Sequence, residues 1–216
     1  MTDPWDRPPI PKRGNRSDKT LFEALGRTLN AWEEIEISMS HLYAAFSVYD
    51  RFDGTATHAY GVPANFRDRM TLLQRAADLH FIAHPNQEVE GEFHRLMRFA
   101  EGYSARRNDI AHSRASQIVW ALPMPDTAAE FVEIRDREEW CLIPPFFRAK
   151  KFTPDRRPTY AFTSRELNEL GKVFWDIAHA FTNLSIMVSL HRYPPSRGIR
   201  PRPSVLPYMI RDPRIR

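Results

Sequence analysis

Apolar residues recur at steps of three and four from Leu21 through Leu25, Leu29, Trp32, Met39, Tyr43 and Phe46. That is the period of one face of an α-helix. The run predicts a long first helix, capped by Ser17 or Asp18 and reaching about Val48. The turn "DRFDG", Asp50 to Gly54, stops it, and "TATHAYGVP" reads as loop. A second helix is expected over Pro63 to Ala83, with Phe66, Met70, Leu73, Ala77 and Phe81 facing inward. Pro63 suits a first turn, where its missing N–H costs nothing, and Pro85 follows the end. A third helix is expected from Glu88 to His112 through Phe93, Leu96, Phe99, Ala100 and Tyr103.

The period then changes. "SQIVWALP", "EFVEIRD", "EEWCLIPPFF" and "PTYAFT" are short apolar or alternating stretches divided by polar turns. They predict a small antiparallel sheet of three or four strands, with Pro144 and Pro145 confining the third to an edge or an ending. Thr163 or Ser164 caps a last helix, and Glu166 is placed to close a capping box. Leu167, Leu170, Phe174, Ile177, Phe181, Leu184, Met187 and Val188 line its inner face until Pro194 and Pro195. The expected fold is mainly α: a four-helix bundle over residues 17–193, with a β-lobe at about 116–162 inserted before the last helix. Residues 1–16 form a proline-rich, extended start, and residues 194–216 a basic, proline-rich tail.

Two inward stripes carry charges. On a wheel of about 100° per residue, Leu96, Phe99, Ala100, Tyr103 and Ile110 lie within about 80° of Arg107. Arg107 is therefore expected to face the core seam, with Asn108 and His112, four apart, on the adjacent face. Glu36 occupies an apolar step between Trp32 and Met39. An unpaired buried charge is costly, so Glu36 and Arg107 are expected to pair. A purely structural ion pair explains this pattern. Chemistry explains it equally: an imidazole can move a proton near neutral pH, and a guanidinium fork can hold a phosphate.

"RNDIAH", Arg107 to His112, resembles the R-x4-6-H signature of HEPN domains, and "AWEEIEISMSHLY" resembles their first-helix segment, with Glu36 on its inner stripe. The likeness covers about residues 18–114 and the last helix. HEPN domains are helical bundles with the motif near the end of an internal helix. The resemblance implies metal-independent RNA cleavage by 2′-hydroxyl attack, at a site formed between two copies, without a cofactor. His112 would move the proton, Arg107 would bind the scissile phosphate, Asn108 would orient the pair, and Glu36 would support the motif arginine. It also implies a homodimer, a role as a toxin or antiphage-defence effector, and a separate antitoxin or defence partner. Some such bundles have lost catalysis, so a non-catalytic dimerisation, RNA-binding or scaffolding module is the alternative.

Composition bears on partners. At 42% hydrophobic and 12% aromatic residues, the chain can build a core. No apolar run approaches the roughly 18 residues that span a bilayer, and the N-terminus lacks a signal-peptide core, so the expectation is cytoplasmic with no membrane partner. From His191 to Arg216 seven arginines face one acid, a net +6. With +4 overall, the remainder carries −2. The tail reads as a solvated arm or a phosphate-binding one, and the latter would suit a nucleic-acid-binding accessory protein. Arg106, Arg114, Lys150 and Lys151 are the candidate RNA contacts near the motif, and Phe146, Phe147 and Phe152 interleave rings with Arg148, Lys150, Lys151, Arg156 and Arg157. His80 and His84 share a helix face at metal-binding spacing but lack an evident third ligand, so no metal site is expected. Cys141 is expected to be a buried structural thiol. The tall apolar groups Trp32, Tyr43, Phe99 and Tyr103 exceed what one bundle was expected to cover, which pointed to a two-fold interface on the first and third helices.

Overall fold

The computed structural model describes residues 3–47, 54–122, 138–154 and 157–192. The protein is mainly helical, with a two-stranded antiparallel sheet before the last helix. The helices are α1 (Asp18–Phe46), α2 (Thr55–Gly61), α3 (Phe66–Ala83), α4 (Gln87–Ala111) and α5 (Ser164–Arg192). The strands are β1 (Arg114–Gln117) and β2 (Trp140–Ile143), with single 3-10 turns at Ile118–Trp120 and Ala149–Lys151.

Side-chain caps set the helix starts. Ser17 Oγ accepts the Lys19 N–H at 3.1 Å, Asn65 Oδ1 that of Asp68 at 3.0 Å, and Asn86 Oδ1 that of Val89 at 3.2 Å. The Asn65 cap moves the start of α3 three residues past Pro63. Glu166 Oε2 accepts the Thr163 N–H at 2.8 Å, completing the expected capping box on α5. The loop expected at "TATHAYGVP" holds the short helix α2, which buries Ala56 and Tyr60. The turn expected at residues 50–54, the strand expected in "EFVEIRD" and the basic tail fall wholly or mostly outside the described residues.

The chain divides into two compact units, Met1–Asn30 with Ala105–Val173, and Ala31–Ser104 with Phe174–Arg216. The first contains the sheet. Arg114 pairs with Ile143, Ala115 with Leu142, Ser116 with Cys141 and Gln117 with Trp140. Two isolated bridges line the other edge of β2: Asn15 to Trp140, through two 2.7 Å bonds, and Phe162 to Leu142. Among the described residues the lobe holds two strands, and the segments at Asn15 and Phe162 meet β2 at one residue each. Within the proline-rich start, Asn15 docks on the sheet edge and its side chain also bonds Ser164 at the start of α5. Ile118, Ala121, Cys141, Ile143 and Ala161 form a small core with Ile10 and Leu122 against it. Burying a side chain the size of Ile118 stabilises the fold by about 1.5–3 kcal/mol. Thr28, inside the buried face of α1, lies 2.8 Å from the carbonyls of Ala24 and Leu167, so its hydroxyl is satisfied.

The second unit is packed by aromatic rings. Phe46 meets Phe93 edge-on at 5.4 Å and Phe81 at 5.5 Å, and Trp32 meets Phe66 at 5.1 Å and Phe174 at 5.2 Å. Trp32, Phe99 and Tyr103 are buried and Tyr43 is half-buried. These residues therefore do not form the exposed apolar surface on which a two-fold interface was expected. On α5, Leu167, Leu170, Phe174, Ile177, Phe181, Leu184 and Val188 are buried as the periodicity required. Among the described residues α5 alone is long and apolar enough to cross a membrane, by length and composition only, although its inner face is buried in the protein.

Gly14 sits where the backbones of the N-terminal segment and β2 touch. A Cβ there would lie 2.7 Å from the Trp140 carbonyl oxygen and 2.8 Å from its nitrogen. Gly14→Ala is therefore expected to cost about 1–3 kcal/mol through forced displacement of the bridge, measured as a lowered midpoint in urea. An unchanged midpoint would mean that the segment contributes nothing to stability.

Candidate functional site

The C-terminal end of α4 is organised around Asp109, which is 2% exposed. Its Oδ2 accepts from Arg7 Nε at 2.9 Å and lies 3.2 Å from Arg106 Nη2. Its Oδ1 accepts from the Tyr160 hydroxyl at 3.0 Å and from Lys151 Nζ. Arg106 Nη1 also donates to the carbonyls of Asp6 at 3.1 Å and Trp5 at 3.3 Å. The Arg7 guanidinium lies 4.9 Å from the centre of the Tyr160 ring. Burial opposes ionisation of Asp109, but hydrogen bonds from Arg7 and Lys151 and the charge of Arg106 outweigh it, so its carboxyl is held below the usual range. Burial, followed by the Asp109 charge, raises the Tyr160 phenol and keeps it a donor.

Helical periodicity did not find Asp109. It lies about 200° from Arg107 on the wheel, away from the expected seam. The N-terminal segment and the chain on either side of Lys151 and Tyr160 cover that second face. Two candidate RNA contacts are corrected by this arrangement. Arg106 is 2% exposed and Lys151 has a side chain 13% exposed, and both are held on Asp109. Their donors are directed to the protein, not to solvent.

Of the remaining motif residues, Asn108 and His112 are exposed and Arg107 is half-buried. Arg107 Nη1 donates to Asn108 Oδ1 at 3.2 Å, while its buried Nε has no acceptor. Arg114, at the start of β1, and Lys150 are exposed. The structure thus brings Arg107 and Asn108 into contact on the last turns of α4 and sets His112 one residue past its end.

Glu36 serves elsewhere. Its carboxylate accepts from Arg69 Nε at 3.0 Å, Arg69 Nη2 at 2.8 Å and the Tyr60 hydroxyl at 3.3 Å. Arg69 also donates to the Pro63 carbonyl at 3.0 Å. The partner expected to be Arg107 is Arg69, which lies on α3 one turn past the Asn65 cap. A bidentate fork fills both carboxylate oxygens, so Glu36 belongs to the packing of α1, α2 and α3 and not to the motif. Burial, then the Glu36 charge, raises the Tyr60 phenol.

Cys141 is fully buried and its thiol is pushed up to about 12 by burial, as an inert core thiol should be. His80 is buried against Phe46 and Phe81, with its ring 5.0 Å from that of His84. Among the described residues no three His, Cys, Asp or Glu side chains are grouped to hold a metal ion. No protein-family model, curated protein or solved structure matches the chain.

Asp109→Asn leaves Arg7, Arg106 and Lys151 facing one another without their shared anion. It is expected to destabilise the protein by about 3–5 kcal/mol. Because the folded carboxyl is depressed, its contribution is complete above its unfolded value of 3.8 and is lost as pH falls through the folded one. Melting temperatures taken from about pH 6 down to about pH 2 should therefore fall less steeply for Asp109→Asn than for wild type. Equal acid slopes would remove Asp109 as the titrating group. For the other ion pair, a double-mutant cycle of Glu36→Gln with Arg69→Met should give a coupling of about 0.5–3 kcal/mol. Glu36→Gln combined with Arg107→Met should show none, and the reverse result would restore Arg107 as the partner.

Proposed function

We propose that the protein is a HEPN-like, metal-independent endoribonuclease that cleaves RNA by 2′-hydroxyl attack. The observation that carries this reading is the polar set at the end of α4. Asp109 is locked inside, while Asn108 and His112 are exposed and the half-buried Arg107 reaches Asn108 through its Nη1. His112 takes the proton of the 2′-hydroxyl, and the freed oxygen attacks the adjacent phosphorus. The bond from phosphorus to the 5′-oxygen breaks, and a proton goes to that oxygen. The products are a 2′,3′-cyclic phosphate and a 5′-hydroxyl. Arg107 offsets the charge that builds on the phosphoryl oxygens, and Asn108 holds the guanidinium. Arg114 and Lys150 contact the flanking phosphates.

Attacking and leaving oxygens lie in line across phosphorus, so one imidazole reaches only one of them. A second copy at the same phosphate supplies the proton for the leaving group, which is the reason to propose a homodimer. The dimer does not rest on Trp32, Phe99 or Tyr103, all of which are buried. The same reading places the protein in the cytoplasm, as a toxin or antiphage effector restrained by a separate partner.

A labelled single-stranded RNA, incubated in EDTA, tests the chemistry. Wild type should cut it and leave a DNA strand of the same sequence intact, since DNA lacks the nucleophile. His112→Ala and Arg107→Ala should lower the rate by about 100-fold or more while melting like wild type, because His112 is exposed and Arg107 is only half-buried. Unchanged cleavage in His112→Ala would refute the assignment. RNA that binds but is never cut would leave a non-catalytic RNA-binding module.

A further inference from the structure

We infer that Phe146 and Phe147 form a stacking platform for the unpaired bases of a single-stranded RNA beside the motif. The inference rests on the nuclease reading for its substrate and on independent geometry for its site. Both rings are 73% exposed and contact each other edge-on at 6.1 Å. Water-facing aromatic pairs of this kind are unfavourable unless something covers them.

The loop that carries them is built to present them. Pro144 and Pro145 are buried and stiffen the exit from β2. The Arg148 N–H donates to the Pro145 carbonyl at 3.1 Å, closing a turn whose two central residues are the phenylalanines. The Lys151 N–H donates to the Arg148 carbonyl at 2.9 Å and tightens the next turn. The rings therefore stand at the tip of a short, hydrogen-bonded projection.

Both ends of that projection are tied to the motif. Ile143, before it, pairs with Arg114, two residues beyond His112. Lys151, after it, binds Asp109, between Arg107 and His112. Phe146 is three residues from Ile143, so its Cα is within about 11 Å of that of Ile143. Through Ile143 and Arg114 the rings lie within a few nucleotides' reach of His112 along an extended RNA strand. Arg148 and Lys150 are exposed on the same loop and meet its phosphates. Rings flanked by cations suit an anionic strand with π-faces. A bilayer would require a larger apolar depth than two side chains provide, and would gain nothing from the ties to the motif.

The test uses the full chain carrying His112→Ala, so that binding is read without cleavage. Affinity for a fluorescent single-stranded RNA should fall roughly 5- to 100-fold for each of Phe146→Ala and Phe147→Ala. Tyr at either position should restore it, and Leu should not, since Leu keeps apolar area but has no π-face. An abasic strand of equal length carries the same phosphates and should bind wild type and the alanine variants alike. The exposed positions should leave melting unchanged. Equal RNA affinity in wild type and the double alanine variant would overturn the platform, as would rescue by Leu. Two other occupants are read in parallel. If the double variant loses binding to anionic vesicles, or loses self-association in sedimentation, while its RNA affinity is unchanged, the rings serve a membrane or a second copy instead. The two readings fail separately: RNA cut with an unchanged KM by the alanine variants, made with His112 restored, would sink the platform alone. RNA gripped through the rings but never cut would sink the nuclease alone.

Discussion

A carboxylate buried at the end of a helix cannot stay unpaired, and Asp109 satisfies that constraint by drawing four chain segments together. Arg7 comes from the N-terminal stretch, Arg106 from the same helix, Lys151 from the loop after β2 and Tyr160 from the approach to α5. Loss of any one leaves a charged or polar group without its partner in a poorly solvated place, so the segments are held jointly. Arg106 extends the network to the backbone of Asp6 and Trp5. The Asn15 and Phe162 bridges pin the same two peripheral segments a second time, on β2. Residues that would otherwise be linkers thereby become structure, and the last turns of α4 acquire a fixed orientation.

That orientation sorts the polar run by face. Asp109 and Arg106 face the packed lobe, while Arg107, Asn108 and His112 are left on the other sides of the helix. The second unit uses the same device. There Glu36 is an inward acid clasped by Arg69 and Tyr60, all three taken up with one another. Comparing the two explains why an inward acid on a stripe does not by itself mark chemistry.

Elements set by local rules were legible in the amino-acid order. The long helices follow from apolar spacing, and their starts follow from short polar side chains placed ahead of them, as at Thr163 and Glu166. Arg107, Asn108 and His112 were legible as a polar group at the end of one helix. Their partners were not, because periodicity describes one helix face and is silent on what covers another. Arg7 lies 102 residues from Asp109, and Tyr160 lies 51 away. Only tertiary packing selects such pairs. The exchange of Arg107 for Arg69 as the partner of Glu36 has the same origin: both arginines were available by type, and the choice depends on how α1, α2 and α3 meet. Alternation and β-rich composition mark extended chain, whereas a ladder needs a neighbour along its whole length. Phe162 and Asn15 meet β2 at one residue each.

The location of the motif also constrains how it can hold an anion. It lies at the carbonyl end of α4, where the helix dipole presents partial negative charge and disfavours a phosphate. The attraction must therefore come from side chains. Around Asp109 alone three cations meet one carboxylate, and Arg107, Arg114 and Lys150 add positive charge on the outside. The excess both suits the dipole, since cations belong at a helix C-terminus, and outweighs it. An anion held here would therefore be bound by guanidinium and ammonium groups and not by the helix end.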